Sequence, residues 1–184
     1  MALSDNHITD FNTFQYGKNF DIGHYNHIGN NVVIGDNVKI GHHCIIDDDV
    51  QIGDDVCIEN YVLLKKKTKI MRRTFIDSYV RSSGDNFIGE SCTLRYGSTI
   101  AKKVVLKNNV FISPNVMTIY STHEGQFVQQ TLIEPKAFIG TAAVLGPGVT
   151  IGSEVVIGAI AYVSSDCIEK GIYVGVPAKF LKSL

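Results

Sequence analysis

The chain of 184 residues has almost no net charge, no long apolar run and no closely spaced pair of cysteines. Its formal net charge of −1 gives no global basic field, so the composition does not support a nucleic-acid partner. Residues 1–14 lack the apolar centre of a signal peptide, and no run long enough to span a membrane follows. We therefore expect a cytoplasmic protein without a membrane partner.

The cysteines are too far apart to form a CxxC motif, which argues against a zinc ribbon and against a redox pair. They are Cys44, Cys57, Cys92 and Cys167. Three of them stand at a position of the repeat described below that otherwise holds Val, Thr, Ser or Ala. We expect free thiols that act as small apolar side chains.

The 3.6-residue period of an amphipathic helix is also missing, and a period of six replaces it. From Ile22 to Ile112 an aliphatic residue recurs at every sixth position, interrupted only at Ser82. From Val32 onward, a small or β-branched residue stands four positions after each of them. Because side chains alternate faces along an extended chain, an offset of four places both residues on one side. Each unit therefore predicts a strand and a corner, and three units close one coil of an all-β parallel β-helix with about eight coils.

Three segments depart from the repeat. Fifteen residues separate Thr118 from Ile133, which is no multiple of six, so we expect an extruded loop at about 119–132. Ser82 and Asn86 place two polar residues at the inward positions of one unit, which requires a local hydrogen-bond network or a distorted coil. The tail at about 168–184 is predicted to cap the stack. The whole chain, 1–184, is expected to form one domain.

Residues 18 positions apart should lie directly above one another in such a stack. One such row is aromatic and contains Tyr25, His43, Tyr61 and Tyr79. It is interpreted either as a stack that seals a subunit interface or as a binding strip for a planar group. In the neighbouring row, His24 lies under His42.

Three further motifs resemble a known family. They are Ile112–Val116 followed by Thr122–His123, the return segment Ile139–Gly152, and the closing segment Gly175–Lys179. With the repeat register, they resemble the left-handed β-helix acyltransferases of the hexapeptide-repeat superfamily, in the sugar and xenobiotic acetyltransferase branch. The resemblance covers the chain from Tyr16 onward. It implies left-handed coils, a homotrimer with active sites between subunits, acyl-CoA as co-substrate and no metal.

The same resemblance implies that His123, in the extruded loop, is the general base. Imidazole suits that role because its unperturbed pKa lies near neutrality. Glu124 follows it where many O-acetyltransferases have proline, so the match to a simple galactoside enzyme is incomplete. Some nucleotide-sugar N-acyltransferases work without a protein base, and a requirement for His123 therefore stays open.

Substrate and cofactor residues are predicted on either side of this loop. Asp85, in the polar unit, is expected to hold the acceptor, with Glu90 and Tyr96 nearby, and Asn115 is expected to contact the substrate. Small residues beside extended backbone let amide groups approach a pantetheine arm, although coil geometry alone also explains them. The predicted cofactor-binding residues are Gly140, Thr141, Ala142, Gly158, Ala159 and Lys179. Lys65–Lys67 and Arg72–Arg73 are a basic cluster that either binds a nucleotide phosphate or is a solvated face.

The predicted function is transfer of a short acyl group from acyl-CoA to the amino group of a nucleotide-linked amino sugar. The alternative is O-acetylation of a sugar or antibiotic hydroxyl. A β-helix carbonic anhydrase, using histidines such as His24, His27, His42 and His43, and a scaffold without catalysis are the remaining hypotheses.

Overall fold

The computed structural model of the chain describes residues 3–122, 124–125 and 130–184, and its regular structure is almost entirely β. A single 3₁₀ turn, Leu3–Asp5, precedes the strands. In chain order the strands are β1 (His7–Ile8), β2 (Gln15–Tyr16), β3 (Asp21–Ile22), β4 (His27–Ile28), β5 (Val33–Ile34), β6 (Lys39–Ile40), β7 (Ile45–Ile46), β8 (Gln51–Ile52), β9 (Cys57–Ile58), β10 (Leu63–Leu64), β11 (Lys69–Ile70), β12 (Phe75–Ile76), β13 (Arg81–Ser82), β14 (Phe87–Ile88), β15 (Thr93–Leu94), β16 (Thr99–Ile100), β17 (Val105–Leu106), β18 (Phe111–Ile112), β19 (Met117–Thr118), β20 (Leu132–Ile133), β21 (Phe138–Ile139), β22 (Val144–Leu145), β23 (Thr150–Ile151), β24 (Val156–Ile157), β25 (Tyr162–Val163), β26 (Ile172–Val174) and β27 (Lys179–Lys182).

Every third strand joins the same parallel sheet, which gives the molecule three faces. Sheet A holds β1, β4, β7, β10, β13, β16, β19, β22 and β25; sheet B holds β2, β5, β8, β11, β14, β17, β20 and β23; sheet C holds β3, β6, β9, β12, β15, β18, β21, β24, β26 and β27. We call the edges where the chain passes between sheets the AB, BC and CA corners. The predicted left-handed, three-sided parallel β-helix is confirmed.

Sheet A has nine strands, so the stack contains about one coil more than the repeat predicted. The additional coil is the N-terminal one. There β1 pairs with β4 in the register His7↔His27, whereas the strands from β2 to β16 pair with the residue 18 positions on, as in Leu63↔Arg81. Because this first step is two residues longer, a strict six-residue count does not detect it.

The aliphatic row forms the centre of the stack. In nearly every strand one side chain points inward and its neighbour faces outward, and residues such as Ile46, Leu64 and Ile100 are fully buried. Burying an aliphatic side chain of this size contributes about 1.5–3 kcal/mol. A unit too short to fold alone is thus stabilised by the coils above and below it.

Each corner turns through a residue with a positive φ angle, and Asn and Asp are frequent there, as at Asn37 and Asp55. The amide of the corner residue donates to the carbonyl of the previous coil, for example from Asn37 to Lys18 at 2.8 Å. This stacking of backbone on backbone keeps the three corners continuous along the molecule.

The tail leaves the repeat as predicted. β26 pairs parallel with β24, and β27 turns back antiparallel along β26. Tyr173 and Ala178 are buried, so the tail adds to the core. In the part of the chain that the structure describes, no helix has the length and apolar character needed to cross a membrane.

Candidate active site

The break in the repeat produces a loop at the AB corner, between β19 and β20. The strands on both sides keep their pairing, because Met117 pairs with Val144 across the interruption. The Ile119 amide donates to the Leu145 carbonyl at 2.9 Å, which fixes the start of the loop. The flanking strands end at Thr118 and resume at Leu132, so the last residue of the predicted range belongs to β20. His123, the predicted base, lies outside the described residues.

A cavity of about 620 Å³ lies on the same corner, in the coils that precede the loop. Its floor is the outward side of three strands of sheet A, and the turns after these strands form its rim. The lining residues are Asp47, Leu63, Lys65, Lys66, Lys67, Arg81, Ser82, Ser83, Gly84, Asp85, Thr99 and Lys102. Because the loop begins at the next strand of the same sheet, the cavity and the loop form one candidate site.

The cavity concentrates positive charge in a chain whose net charge is −1. Five basic and two acidic side chains line it. Lys102 Nζ lies 3.3 Å from Asp85 Oδ2, and Lys65 Nζ lies 3.7 Å from Asp47 Oδ2. Arg81 and Lys67 form no ion pair with any described residue. These two cations are therefore available to an anionic ligand.

One ion pair at the rim is also a hydrogen bond. Lys66 Nζ donates to Asp48 Oδ2 at 2.8 Å. This hydrogen bond lowers the pKa of the Asp48 carboxyl and raises the pKa of the Lys66 ammonium. The Lys66 side chain is exposed and the Asp48 side chain is partly exposed, so solvent screens the pair and it adds little to stability.

The predicted substrate residues do not form one group within the chain. Asp85 lies in the cavity, but Glu90 is on the BC corner, where Arg72 and Arg73 donate to its carboxylate at 3.0 and 3.2 Å. Tyr96 is on the CA corner, tilted against Tyr79 with 5.4 Å between ring centroids. Within one chain Glu90 and Tyr96 do not lie beside Asp85, because every six residues carry the chain to the next corner.

Asn115 is on the CA corner beside Tyr96, whose carbonyl accepts from the Asn115 amide at 2.9 Å. The basic cluster is divided in the same way. Lys65–Lys67 line the cavity on the AB corner, whereas Arg72–Arg73 turn the BC corner.

The predicted cofactor residues do share one corner. Gly140, Thr141 and Ala142 turn the CA corner after β21, and Gly158 and Ala159 turn it one coil later. A Cβ on Gly140 would lie 2.6 Å from the Ala159 amide nitrogen, so the close approach at Gly140 is to the next coil. The outward residues Thr141, Ala142 and Ala159 are exposed.

Lys179 lies in β27, on the outer edge of sheet C, and is exposed. Gly140 is needed for the close stacking of the coils, whereas Thr141, Ala142 and Ala159 form an exposed ledge of small side chains that a pantetheine arm could approach.

Two basic residues of the cavity were missed by sequence reasoning. Arg81 stands alone between neutral residues, and Lys102 belongs to no motif. Their signal is the 18-residue spacing, since Arg81 pairs with Leu63 and Thr99, and the row Lys66, Gly84, Lys102 runs up the corner. A comparison of residues 18 positions apart along each corner identifies both.

The predicted aromatic row is present on the CA corner. The rings of Tyr25, His43, Tyr61 and Tyr79 stack with centroid spacings of 5.2, 5.0 and 4.9 Å. Because neighbouring rings cover one another's faces, the row presents ring edges to the outside. This geometry favours the interface interpretation over a strip that stacks a planar ligand.

The histidines of the zinc hypothesis stack in pairs. His24 lies over His42 at 5.3 Å, and His7 lies over His27 at 4.8 Å. Across residues 3–122, 124–125 and 130–184, no three His, Cys, Asp or Glu side chains converge as metal ligands do.

Short parallel strands, a six-residue inward pattern, one inserted loop and a small-residue ledge define the hexapeptide-repeat β-helix proteins. Two family models match this chain: the GMPPB C-terminal domain over residues 22–123, and the hexapeptide repeat of succinyl-transferase over residues 130–165. The chain belongs to the GMPPB C-terminal domain family within the hexapeptide-repeat acyltransferase superfamily.

One sequence relative is a Schizosaccharomyces pombe protein named as an acetyltransferase. It is 33% identical over 90 residues, which are 44% of this chain and 44% of that protein. The matched region thus spans less than half the length of that relative.

Solved structures share the fold. The chain resembles LpxA from Bacteroides fragilis, a UDP-N-acetylglucosamine acyltransferase, at a TM-score of 0.86 and 18% identity, covering 98% of this chain and 74% of the other. A galactoside acetyltransferase in complex with coenzyme A is 26% identical at a TM-score of 0.56, covering 67% and 65%. The polySia-specific acetyltransferase NeuO is 20% identical at a TM-score of 0.57, covering 98% and 87%.

Proposed function

We propose that the chain transfers an acetyl or other short acyl group from acyl-CoA to the amino group of a nucleotide-linked amino sugar. The observation that carries this proposal is the cavity beside the loop. It places two half-buried carboxylates, Asp47 and Asp85, among five basic side chains, and Asp85 is the proposed ligand of the acceptor. A carboxylate binds the acceptor amine, and the cations bind the phosphates of the nucleotide.

Arg81 and Lys67 are the proposed phosphate ligands. Neither forms an ion pair with a described residue, so a phosphate does not have to displace a carboxylate from them. Arg81 lies between Leu63 and Thr99 on the cavity floor, and its guanidinium can donate two parallel hydrogen bonds to one phosphate. A neutral sugar would leave this charge unused.

The acyl donor is proposed to lie along the CA corner. The similar galactoside acetyltransferase was solved with coenzyme A, and the Schizosaccharomyces pombe relative carries an acetyltransferase name. Thr141, Ala142 and Ala159 offer an exposed ledge of small side chains there, and Lys179 is a cation for a phosphate of the cofactor.

This arrangement supports a homotrimer. The acceptor cavity is on the AB corner and the ledge is on the CA corner, so one chain does not bring its two substrates together. In a trimer the CA corner of one copy lies against the AB corner of the next, and the site is completed between them. The exposed rings of Tyr25 and Tyr61 on the CA corner then become part of the interface.

The chemistry follows from these positions. Asp85 accepts a hydrogen bond from the acceptor amine and orients its lone pair toward the thioester carbonyl. The C–N bond forms, the C–S bond breaks and coenzyme A leaves as the thiol. His123 in the loop is the proposed base for the proton that the amine releases. Asn115, on the CA corner, is a proposed substrate contact contributed by the neighbouring copy.

O-acetylation of a sugar hydroxyl is the second candidate. The similarity to the galactoside acetyltransferase favours it. That reaction needs a base, because a hydroxyl must lose its proton as it attacks, whereas an amine can attack while neutral.

The test is thiol release from acetyl-CoA against matched acceptors: UDP- and dTDP-linked amino sugars, the same amino sugars without the nucleotide, and neutral sugars. We expect turnover only with a nucleotide-linked amine, and a KM for it that rises about tenfold in Arg81→Gln. Arg72→Gln, a variant of an arginine on the BC corner, is the control and should keep the wild-type KM.

His123→Ala separates the two chemistries. A loss of about a hundredfold or more assigns a base, and a small loss indicates that the neutral amine needs none. Turnover of unphosphorylated hydroxyl acceptors alone would replace the proposal with O-acetylation. Absence of coenzyme A binding in calorimetry would remove both and leave a scaffold.

A further inference from the structure

The aliphatic interior is interrupted directly behind the cavity. Ser82 and Asn86 are 1% and 2% exposed and take inward positions that hold Ile, Leu, Val or another small residue in most coils. Thr68, from the preceding coil, is fully buried beside them. β13 nevertheless keeps its register, with Ser82 opposite Ile100, so the coil is not distorted. Of the two predicted outcomes, the hydrogen-bond network is the one that forms.

The network links three successive coils. The Ser82 hydroxyl donates to Asn86 Oδ1 at 2.6 Å, because a carboxamide oxygen only accepts. Thr68 Oγ1 lies 2.6 Å from Ser82 Oγ and 2.7 Å from the Lys65 carbonyl oxygen. In the other direction Asn86 Nδ2 donates to the Ala101 carbonyl at 2.6 Å. All of these backbone groups belong to the AB corner, behind the rim of the cavity.

The Gly84 amide also donates to this network, whereas the corresponding amide in an earlier coil donates outward. In an earlier coil of this corner, the Asn30 amide donates to the Asp48 side chain, which stands 18 residues on, at 2.9 Å. The residue in that relation to Gly84 is Lys102, whose ammonium cannot accept. The Gly84 amide turns inward instead, and lies 3.2 Å from Asn86 Oδ1 and 3.3 Å from Ser82 Oγ.

Gly84 is confined by the rim itself. Its φ angle is +99°, and a Cβ at this position would lie 2.9 Å from the Lys66 carbonyl oxygen. A side chain here would therefore collide with the backbone of the preceding coil. Next to it, the Asp85 amide donates to the same Lys66 oxygen at 2.9 Å, so the Gly84 turn sets the position of the Asp85 carboxylate.

We propose that Ser82 and Asn86 are positioning residues that hold the Gly84–Asp85 turn for acceptor binding. By accepting the Gly84 amide from inside, they replace the outward cap that the Lys102 ammonium cannot provide. The aliphatic residues usual in the repeat could not do this. This inference rests on the proposed function, since the acceptor is the ligand that the turn receives.

The test restores the usual repeat in the double variant Ser82→Ile, Asn86→Val. The double variant removes the Ser82–Asn86 bond but leaves the Thr68 hydroxyl and the Ala101 carbonyl without these partners, so it should be less stable than the wild type. We expect a folded protein whose KM for the acceptor rises about tenfold while its KM for acetyl-CoA stays at the wild-type value. Amide hydrogen exchange in the peptide that contains Ser82–Asn86 should become faster.

Two further variants keep the test decisive if the double variant does not fold. Ser82→Ala removes one link and should raise the acceptor KM by a smaller factor, and Ser82→Thr keeps the hydroxyl and should restore it. Thr74→Val is the matched control, because it also breaks buried hydrogen bonds, to Gly89 and Cys92, but on the BC corner. It should change thermal stability and leave the acceptor KM unaltered.

A wild-type acceptor KM in the folded double variant, or unchanged exchange at Ser82–Asn86, would overturn the proposal. Failure of the proposed function is a separate result, namely no thiol release by the wild type with any acceptor. Amide hydrogen exchange then decides: faster exchange at Ser82–Asn86 in the double variant supports the positioning role, and exchange equal to that of the wild type contradicts it.

Discussion

The Asp85 carboxylate and the Lys102 ammonium face each other across one coil step, 3.3 Å apart, at the rim of the cavity. Their side chains are 34% and 42% exposed, so this is a partly solvated pair. Such pairs contribute roughly 0.2–1 kcal/mol to folding. The pair is therefore better placed to organise the cavity than to stabilise the coil.

Asp85→Asn tests that distinction. We expect the free energy of unfolding to change by less than about 1 kcal/mol, while kcat/KM for the amine acceptor falls at least tenfold, or about 1.4 kcal/mol in the transition state. Glu154→Gln, which breaks the exposed pair with Lys170 on the BC corner, is the control. It should have a similarly small effect on stability and none on turnover. Equal losses of activity in both variants would show that surface charge, not Asp85, is responsible.

Ser98 has the only buried side-chain oxygen or nitrogen without a hydrogen-bond partner among the described residues. Removing a buried hydroxyl that satisfies nothing relieves its desolvation cost, so Ser98→Ala should raise the free energy of unfolding by about 1 kcal/mol. Thr74→Val should lower it by about 1–2 kcal/mol, because there the buried hydroxyl is bonded. Urea unfolding measures both, and the prediction is wrong if the two variants shift in the same direction.

The buried thiols set a limit to alkaline stability. Burial raises the pKa of Cys44 and of Cys92 from 9.0 to about 11. Both thiols hold their protons more tightly when folded, so their contribution is present below pH 9 and is lost between about pH 9 and 11. Each lost proton lowers the free energy of unfolding by roughly 1.4 kcal/mol per pH unit in that window. Cys44→Ala with Cys92→Ala should flatten the fall in denaturant titrations at these pH values.

The aromatic row predicts that loss of a ring from its middle destabilises the chain more than loss of a ring from its end. Tyr61 stacks on two rings, His43 and Tyr79, whereas Tyr25 stacks on His43 alone within this row. With about 0.5–1.5 kcal/mol for each stacked pair, Tyr61→Ala should destabilise the chain about twice as much as Tyr25→Ala. Sedimentation of both variants shows whether the row also holds copies together. A loss of assembly without the twofold difference would assign the row to the interface alone.

Much of the fold follows from spacing. An aliphatic residue such as Ile46, Leu64 or Ile100 at every sixth position needs no tertiary information to predict a three-sided coil, because extended chains alternate their side chains. The loop and the cap follow where this count fails. The N-terminal coil does not, since the step from His7 to His27 departs from the period.

The candidate site is predictable only in part. Asp85 was expected to hold the acceptor on the strength of its polar neighbours, and it lies in the cavity. Glu90 and Tyr96 were placed near it because they are close in sequence. Because the chain turns a corner every six residues, residues five to eleven positions apart lie on different corners.

The amino-acid sequence alone is enough to place the coil, its inward aliphatic column and the point where the loop leaves it, because these depend on a local period and on burial. Which residues meet at the corners depends on the stacking of the coils. Residues 18 apart meet there, so Lys66, Gly84 and Lys102 come to line one rim, and Asn86 reaches the Ala101 carbonyl from inside. Whether a polar residue in the column distorts the coil or supports a site depends on three coils at once, and no single repeat contains that information.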